Sequence, residues 1–398
     1  MTRPIRVLSL YEGFFAGGAR ILHTDVVAGL HGTGEQEHSV LSIASAARRE
    51  SSIQLLYKDP RYVRLAQAGV DVTTLGRISG TVAPQPSTYT ERQLRIAAEA
   101  VRQADVILSL KEQPLGLLLA LHERGLMPDV PVAACLHRSD PTHSGPALSW
   151  LSEASASGVL TAEISCAEST SVAYDRFLSP GTRRFVIGNG IDTDRFRPGT
   201  SEERAATRER LGIPAVAPVV VFAARFDAMK DPGLFLRSVS LFSRQRPETH
   251  FVMCGAGMTL ENEAFRALLE ESAVGSSVNL HALGIRDDMP SIYQIADVVA
   301  LTSAFGEASP LCLLEGAASG ATPVTTDVGD SALTVRGIGY VTTHDPANIA
   351  ETWDRVLAQR PDLRELALAA RARFGRERMI ADYATVVNGL LESDQVAA

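Results

Sequence analysis

The stretch Val298-Val299-Ala300-Leu301-Thr302-Ser303-Ala304-Phe305-Gly306-Glu307-Ala308-Ser309-Pro310-Leu311-Cys312-Leu313-Leu314-Glu315-Gly316 reads as a strand, a loop and a helix in immediate succession. Val298–Leu301 is a short apolar run of strand length, and Pro310 suits the first position of a helix because its ring presets the backbone and its missing N–H would be unpaired there anyway. The amides of Leu311 and Cys312 then fall in the first helical turn, where unpaired N–H groups favour an anion. Glu315 lies about one and a half turns in, and Glu307 stands in the loop before it, so the two carboxylates can address different parts of one ligand.

Outward from this segment the same alternation recurs, which is the signature of parallel sheets built from βαβ units. In the second half strands are expected at Val219–Ala223, His250–Cys254, Val278–Leu280, Val298–Leu301 and Thr322–Thr325, each followed by a helical pattern. In the first half they are expected at Ile5–Leu10, His38–Ile43, Val70–Leu75, Val106–Leu110 and Val130–Leu136, with helices at Ala19–Leu30, Glu91–Gln103 and Leu115–Arg124. The final segment, Glu377–Leu391, carries its apolar residues at helical spacing. Two sheets in 398 residues, with 45% apolar content, imply two domains. Ligands of such sheets bind at the carboxyl ends of the strands, so chemistry is sought in the loops that follow them.

The net charge of −8 argues against a nucleic-acid partner, which requires a basic stripe. Lys and Arg balance Asp and Glu up to Gly188, so the acidic excess lies wholly in the second half. No apolar run reaches the roughly 18 residues of a membrane helix, and the run ending at Leu10 is too short for a signal-peptide core, so a cytoplasmic location is expected. Cys135, Cys166, Cys254 and Cys312 form no Cys-x-x-Cys pair and read as reduced thiols. No metal-ligand cluster is visible: Asp192-Thr193-Asp194 reads as a turn with a helix cap. Gly255-Ala256-Gly257 lacks the third glycine of a dinucleotide fingerprint, Leu260 standing in its place, which argues against an NAD-dependent oxidoreductase.

A second strand, loop and helix is Phe222-Ala223-Ala224-Arg225-Phe226-Asp227-Ala228-Met229-Lys230-Asp231-Pro232-Gly233. Arg225 and Lys230 at a strand end can converge on a diphosphate and neutralise charge on a departing nucleotide; a solvated basic pair is the alternative. Lys111 and Glu112 follow Val106–Leu110 in the same way, either facing the same ligand region or forming a surface ion pair.

Taken together, these features resemble the family 4 retaining glycosyltransferases of the GT-B fold over nearly the whole chain. Glu307 to Glu315 matches that family's E-x7-E motif and Arg225 with Lys230 its R-x4-K pair. Gly17-Gly18 after the first strand, His137 after Val130–Leu136, Asn189-Gly190-Ile191-Asp192, Gly255-Ala256-Gly257 and Gly284-Ile285 occur in the family's order. The resemblance implies an α/β, GT-B architecture: two Rossmann-like parallel-sheet domains facing across a cleft. Residues 1–188 would be the acceptor-side domain, 189–375 the nucleotide-sugar-binding domain, and 376–398 a helix crossing back to the first.

It further implies transfer, with retained configuration and without a metal or other cofactor, from a nucleotide diphosphate sugar to a small acceptor such as a sugar, cyclitol or natural-product aglycone. A non-catalytic sugar-nucleotide-binding protein of the same fold is the competing expectation. His137, Arg225, Lys230 and Glu307 would form the catalytic group, with Glu307 on hydroxyls of the transferred sugar. Gly17, Gly18, Asn189, Gly255, Gly257, Ile285, Ser309, Pro310, Leu311, Cys312 and Glu315 would bind the donor, Glu315 through the ribose. Lys111, Glu112 and Arg138 would lie on the acceptor side. The chain departs from the family pattern at Ser309, where an aromatic is frequent, at Cys254–Met258, where a Gly-Asp-Gly-Pro turn is usual, and at Arg138, where Asp is common.

Overall fold

The computed structural model describes residues 3–14, 18–49, 52–80 and 84–392. The chain divides into two compact units, residues 1–189 with 377–398, and Gly190–Arg376. Both are α/β units built on largely parallel sheets.

In the first unit the strands are β1 (Ile5–Tyr11), β2 (Gln36–Arg49), β3 (Ser52–Leu55), β4 (Asp71–Ser79), β5 (Val106–Leu110), β6 (Val132–Leu136), β7 (Ala162–Ser165) and β8 (Arg183–Val186). Their order is β3-β2-β1-β5-β6-β7-β8, with β4 also paired to β2, and β3 is the one antiparallel member among the described residues. The central strands β5 and β6 are buried along their whole length, as an apolar strand covered on both faces must be. β6 begins two residues later than its apolar run suggests, because Pro131 has no N–H for the ladder. β2 is far longer than His38–Ile43, since its small residues Ala44, Ala46 and Ala47 continue the pairing with β4 and turn back into β3.

The second unit is a six-stranded parallel sheet of β9 (Val219–Ala223), β10 (His250–Cys254), β11 (Asn279–Gly284), β12 (Val298–Leu301), β13 (Thr322–Thr326) and β14 (Tyr340–Thr342), in the order β11-β10-β9-β12-β13-β14. One side of it packs Phe222, Phe235, Phe242, Phe251 and Trp353, and another core forms around Tyr293, Leu313 and Phe374. The chain runs outward from β9 in one direction, then restarts at β12 beside it. Such a reversal leaves a crevice at the carboxyl ends of the two adjacent strands. In the first unit the corresponding reversal lies between β1 and β5.

The helix Arg376–Glu392 belongs to the first unit. It buries Met379, Tyr383, Val387 and Leu390, one apolar stripe at helical spacing. Arg183 donates to the carbonyls of Gly389 and Leu390 at 3.0 and 3.1 Å, satisfying groups that a helix C-terminus leaves open. Gly29 packs closely against Ile380: a Cβ there would stand 2.6 Å from its Cδ1, so the Ile380 side chain would have to move.

Candidate functional site

In the second unit the loops after β9 and β12 meet at the reversal point. Asp227 accepts from the Met229 amide at 2.9 Å and starts the short turn Ala228–Lys230. Asp231 then adopts a left-handed backbone, φ 41°, and caps the helix Pro232–Gln245 by accepting from the Leu234 amide at 2.9 Å. That conformation is strained for a residue with a Cβ. It is held from the neighbouring strand: the Thr302 hydroxyl bonds to the carbonyls of Lys230 and Asp231 at 3.2 and 2.9 Å, and the Ala304 amide donates to Met229 at 2.9 Å.

This stitching delivers the Lys230 ammonium to the Glu307 carboxylate, where the two form an ion pair. Ser303 donates to the same Glu307 oxygen at 2.5 Å. Glu307 is 5% exposed and Ser303 fully buried. The carbonyl of Ser303 accepts in turn from Thr326 Oγ1 at 2.7 Å and from His344 Nε2 at 3.0 Å, so the loop is tied to the two strands beyond it. Gly329, φ 59°, packs against the Glu307 carbonyl so closely that a Cβ would come within 2.0 Å of it.

Arg225 does not join this group. Its exposed guanidinium pairs with Asp227 at 3.3 Å, so the two cations each stand on a carboxylate of their own. Gly255, φ 138°, has no room for a Cβ, which would fall 1.9 Å from the Ala224 carbonyl; with the Phe226-to-Ala256 hydrogen bond of 2.8 Å it lets the glycine turn nest against the Arg225 loop. Gly257 lies in the same turn, and Ile285 beyond β11 is 77% exposed.

The helix after β12 starts at Leu311, with Pro310 as its N-cap in an extended conformation rather than as the first helical residue. Pro310 offers no side-chain cap, so Leu311 and Cys312 open the first turn as expected, one residue further from the bend. Cys312 is half-buried and its thiol is pushed up to about 12 by burial, which makes it a packing residue rather than a nucleophile. Ser309 is half-buried beside it. Glu315 lies on the same helix, partly exposed, its pKa raised to about 7 by desolvation while the Tyr293 hydroxyl and Arg195 pull it down.

At the reversal point of the first unit, Lys111 follows β5 with φ 69°, its amide bonded to Cys135 at 3.0 Å and its carbonyl to Ser109 Oγ at 2.8 Å. Burial, then repulsion from Arg20, brings its ammonium down to about 8, with Arg138 adding to the fall. His137 after β6 is pushed down to about 3 by burial and then by Lys111, so its imidazole is neutral near pH 7. Its Nε2 is buried and makes no hydrogen bond to the described residues. Arg20 lies in the same region, bonded to the Gly13 carbonyl at 2.7 Å and to Glu12 at 3.2 Å.

Glu112 corrects the surface-pair alternative. Only 4% exposed, it takes hydrogen bonds from Ser144 at 2.8 Å and from the Tyr174 hydroxyl, and turns into the unit instead of meeting Lys111. Asn189 is 8% exposed, Gly18 opens the helix Gly18–Leu30, and Gly17 lies outside the described residues. Asp192 forms a turn alone, accepting from Asp194 and Arg195 amides at 3.1 and 3.0 Å, and no helix starts there. Among the described residues no helix is long and apolar enough to cross a membrane, and no group of three or more His, Cys, Asp or Glu is placed to hold a metal. Ser303, Thr302 and Tyr293 carry no motif signal: the parts of Ser303 and Thr302 emerge from the packing of β9 against β12, and that of Tyr293 from its helix, Met289–Gln294, lying beside the one that bears Glu315.

Residues 203–373 match the family model described as glycosyl transferases group 1. The matched segment carries Arg225, Lys230, Glu307 and Glu315, so the likeness to glycosyl transferases group 1 extends to the residues of this group. Among curated relatives the chain is 33% identical over 234 residues to a D-inositol 3-phosphate glycosyltransferase of Salinispora arenicola, covering 55% of this chain and 50% of that one. It is 30% identical over 207 residues to the enzyme of that name from Corynebacterium jeikeium, covering 48% of each. The chain thus spans about half the length of the curated relatives it matches. In fold it is similar to Anabaena HepE in complex with UDP, with a TM-score of 0.77 at 17% identity over 97% of this chain and 100% of that one. The sucrose-phosphate synthase of Thermosynechococcus elongatus gives 0.72 at 17% identity, over 98% and 100%.

Proposed function

We propose that the chain transfers a sugar from a uridine diphosphate sugar to a small hydroxylated acceptor, with retention at the anomeric carbon and without a divalent metal. The observation that carries this reading is the Lys230–Glu307–Ser303 group at the reversal point of the second unit's sheet. A cation and a carboxylate held side by side suit a ligand that is anionic at one end and rich in hydroxyls at the other.

In this reading Lys230 and Arg225 take the diphosphate, the amides of Leu311 and Cys312 add partial positive charge, and Glu315 accepts from the ribose hydroxyls. Glu307 accepts from hydroxyls of the transferred sugar while staying beside Lys230. The bond from the anomeric carbon to the phosphate oxygen breaks with its electron pair on the diphosphate, whose growing charge the cations stabilise. The acceptor oxygen adds on the same face and gives its proton to the departing phosphate. His137, neutral and with an unsatisfied Nε2, is a hydrogen-bonding partner for a sugar hydroxyl. Lys111 and Arg138 favour an acceptor that carries an anionic group, consistent with a cyclitol phosphate of the kind named for the curated relatives.

The test is incubation with UDP-sugars and inositol phosphates, with NMR of the first-formed product, in buffer containing EDTA. A product with the donor's anomeric configuration is expected. The inverted anomer would overturn the retaining assignment, turnover restored only by Mg²⁺ or Mn²⁺ the metal-independent one, and donor binding with no transfer or hydrolysis would leave a sugar-nucleotide-binding protein.

A further inference from the structure

The opposite, amino edge of the second unit's sheet holds a separate cavity of about 510 Å³. Arg204, Arg360 and Arg364 line it, together with Asp297, which precedes β12, and Ser201 and Thr322. Each guanidinium is steadied through one nitrogen. Nη1 of Arg204 donates to the Gln294 carbonyl at 2.5 Å, Nη1 of Arg364 to the Gly320 carbonyl at 3.3 Å, and Nη1 of Arg360 to Asp297 at 3.2 Å. The Nε and Nη2 groups of all three make no hydrogen bond to the described residues.

Two other arginines of the unit spend two nitrogens on a single carboxylate. Arg197 grips Glu203 with two nitrogens at 3.0 and 2.7 Å, and Arg286 grips Asp288 with two at 2.8 Å. A guanidinium fork matches a carboxylate or phosphate in that two-point manner. Around the cavity the one lining carboxylate cannot serve three forks, because the other oxygen of Asp297 already accepts from the Val219 amide at 2.9 Å. The positive charges also crowd one another: burial and then Arg204 lower the pKa of Arg364. Gly320, φ 94°, leaves the space that Arg364 needs, since a Cβ would stand 2.7 Å from its Nη1. Arg204 and Arg364 are therefore held in place by backbone carbonyls and Arg360 by Asp297, each through one nitrogen with the rest of its fork unspent, in a unit whose sequence is acidic on average.

We propose that this amino-edge cavity binds a small phosphate dianion, either free or carried on a sugar. The volume is within the range of small-ligand sites and exceeds what inorganic phosphate alone fills. The proposal does not rest on the donor-site reading, which concerns the carboxyl edge of the same sheet.

Calorimetric titration of inorganic phosphate and of glucose 6-phosphate into the full chain tests it, using wild type, Arg360→Gln, Arg204→Gln/Arg364→Gln and Lys230→Ala. Wild type and Lys230→Ala are expected to bind alike, and Arg360→Gln at least about tenfold more weakly, the loss of a charge-assisted contact. Tighter binding of glucose 6-phosphate than of phosphate supports the sugar-borne form, and equal binding supports the free ion. The Arg360 side chain is 42% exposed, so its variant keeps the test alive if the double variant does not fold. Absence of binding to wild type at about 10 mM of either probe, equivalent to less than about 3 kcal/mol, overturns the proposal. Binding lost in Lys230→Ala and kept in Arg360→Gln overturns it equally.

Discussion

The two reversal points of this chain are built on the same topological plan and carry opposite electrostatics. In the second unit Lys230 and Glu307 neutralise each other, with Ser303 donating to the same carboxylate oxygen. In the first, burial and then Arg20 outweigh the attraction of Glu112, whose hydrogen bonds go to Ser144 and Tyr174, and the Lys111 ammonium falls to about 8. One site is preassembled around an internal counter-ion; the other keeps a desolvated positive group that an incoming anion would relieve. The difference teaches that the first should resist changes of geometry and the second changes of charge.

The largest expected effect is therefore at Lys230. Lys230→Ala should lower kcat by about 10²–10³-fold, or about 2–4 kcal/mol of transition-state stabilisation. Lys230→Arg should be nearly as damaging, because a planar guanidinium does not fit where a compact ammonium bridges Glu307 and a phosphate. Steady-state kinetics with circular dichroism on both variants decides the matter: most of the wild-type kcat surviving in Lys230→Arg would reduce the residue to a generic charge.

Next in size is Ser303→Ala. Removing a hydrogen bond to a charged group costs about 1.5–3 kcal/mol, so kcat/KM should fall by roughly ten- to a hundredfold with Lys230 intact. A variant with wild-type kcat/KM would show that the ion pair needs no third member.

Glu315 gives a pH-dependent contrast of several-fold. Its carboxyl, raised to about 7, must be ionised to accept two ribose hydroxyls, so the donor KM of wild type should climb as pH falls from about 8 to about 6, and that of Glu315→Gln should be higher and flat. The stability sign is opposite. A carboxyl with a raised folded pKa binds its proton more tightly folded than unfolded, so stability declines as pH rises from the ordinary carboxylate range to about 7. Thermal melts of Glu315→Gln should lack that component, and a profile identical to wild type would remove Glu315 as its source.

The smallest effect is expected at Lys111. Lys111→Ala should raise acceptor KM by about three- to tenfold and leave donor KM alone, and in wild type acceptor KM should rise above pH 8 as the ammonium deprotonates. If donor KM moves instead, the two reversal points do not divide the substrates between them.

Much of the second unit's sheet could be read from continuous apolar runs: Val219–Ala223, His250–Cys254 and Val298–Leu301 coincide with β9, β10 and β12. The strands that escaped are short or polar. β7 contains Glu163, fully buried, whose carboxylate is satisfied by Ser165 and Ser171; a charged residue in a four-residue stretch hides the strand until those partners are known. β8 alternates in exposure and begins with two arginines, and β14 has three residues. At the site, the motif spacing singled out Lys230 and Glu307, yet their direct pairing depends on β9 lying beside β12, a tertiary fact that a separation of 77 positions does not state. Ser303 and Thr302 followed the strand with no pattern of their own, and the inward turn of Glu112 depends on Tyr174 and Ser144, which are distant in the chain.

The return of the helix Arg376–Glu392 to the first unit has a consequence for synthesis. During translation the second unit, one uninterrupted segment, has all of its residues available before that helix leaves the ribosome. The first unit is begun first and completed last, because the stripe of Met379, Tyr383, Val387 and Leu390 that covers it is encoded at the far end. At about 1.5–3 kcal/mol for each large apolar side chain buried, the four contribute about 6–12 kcal/mol, comparable to the roughly 5–15 kcal/mol by which a whole domain is stable. The nascent first unit is consequently the segment that waits, exposed, for this helix, and the one a chaperone would hold.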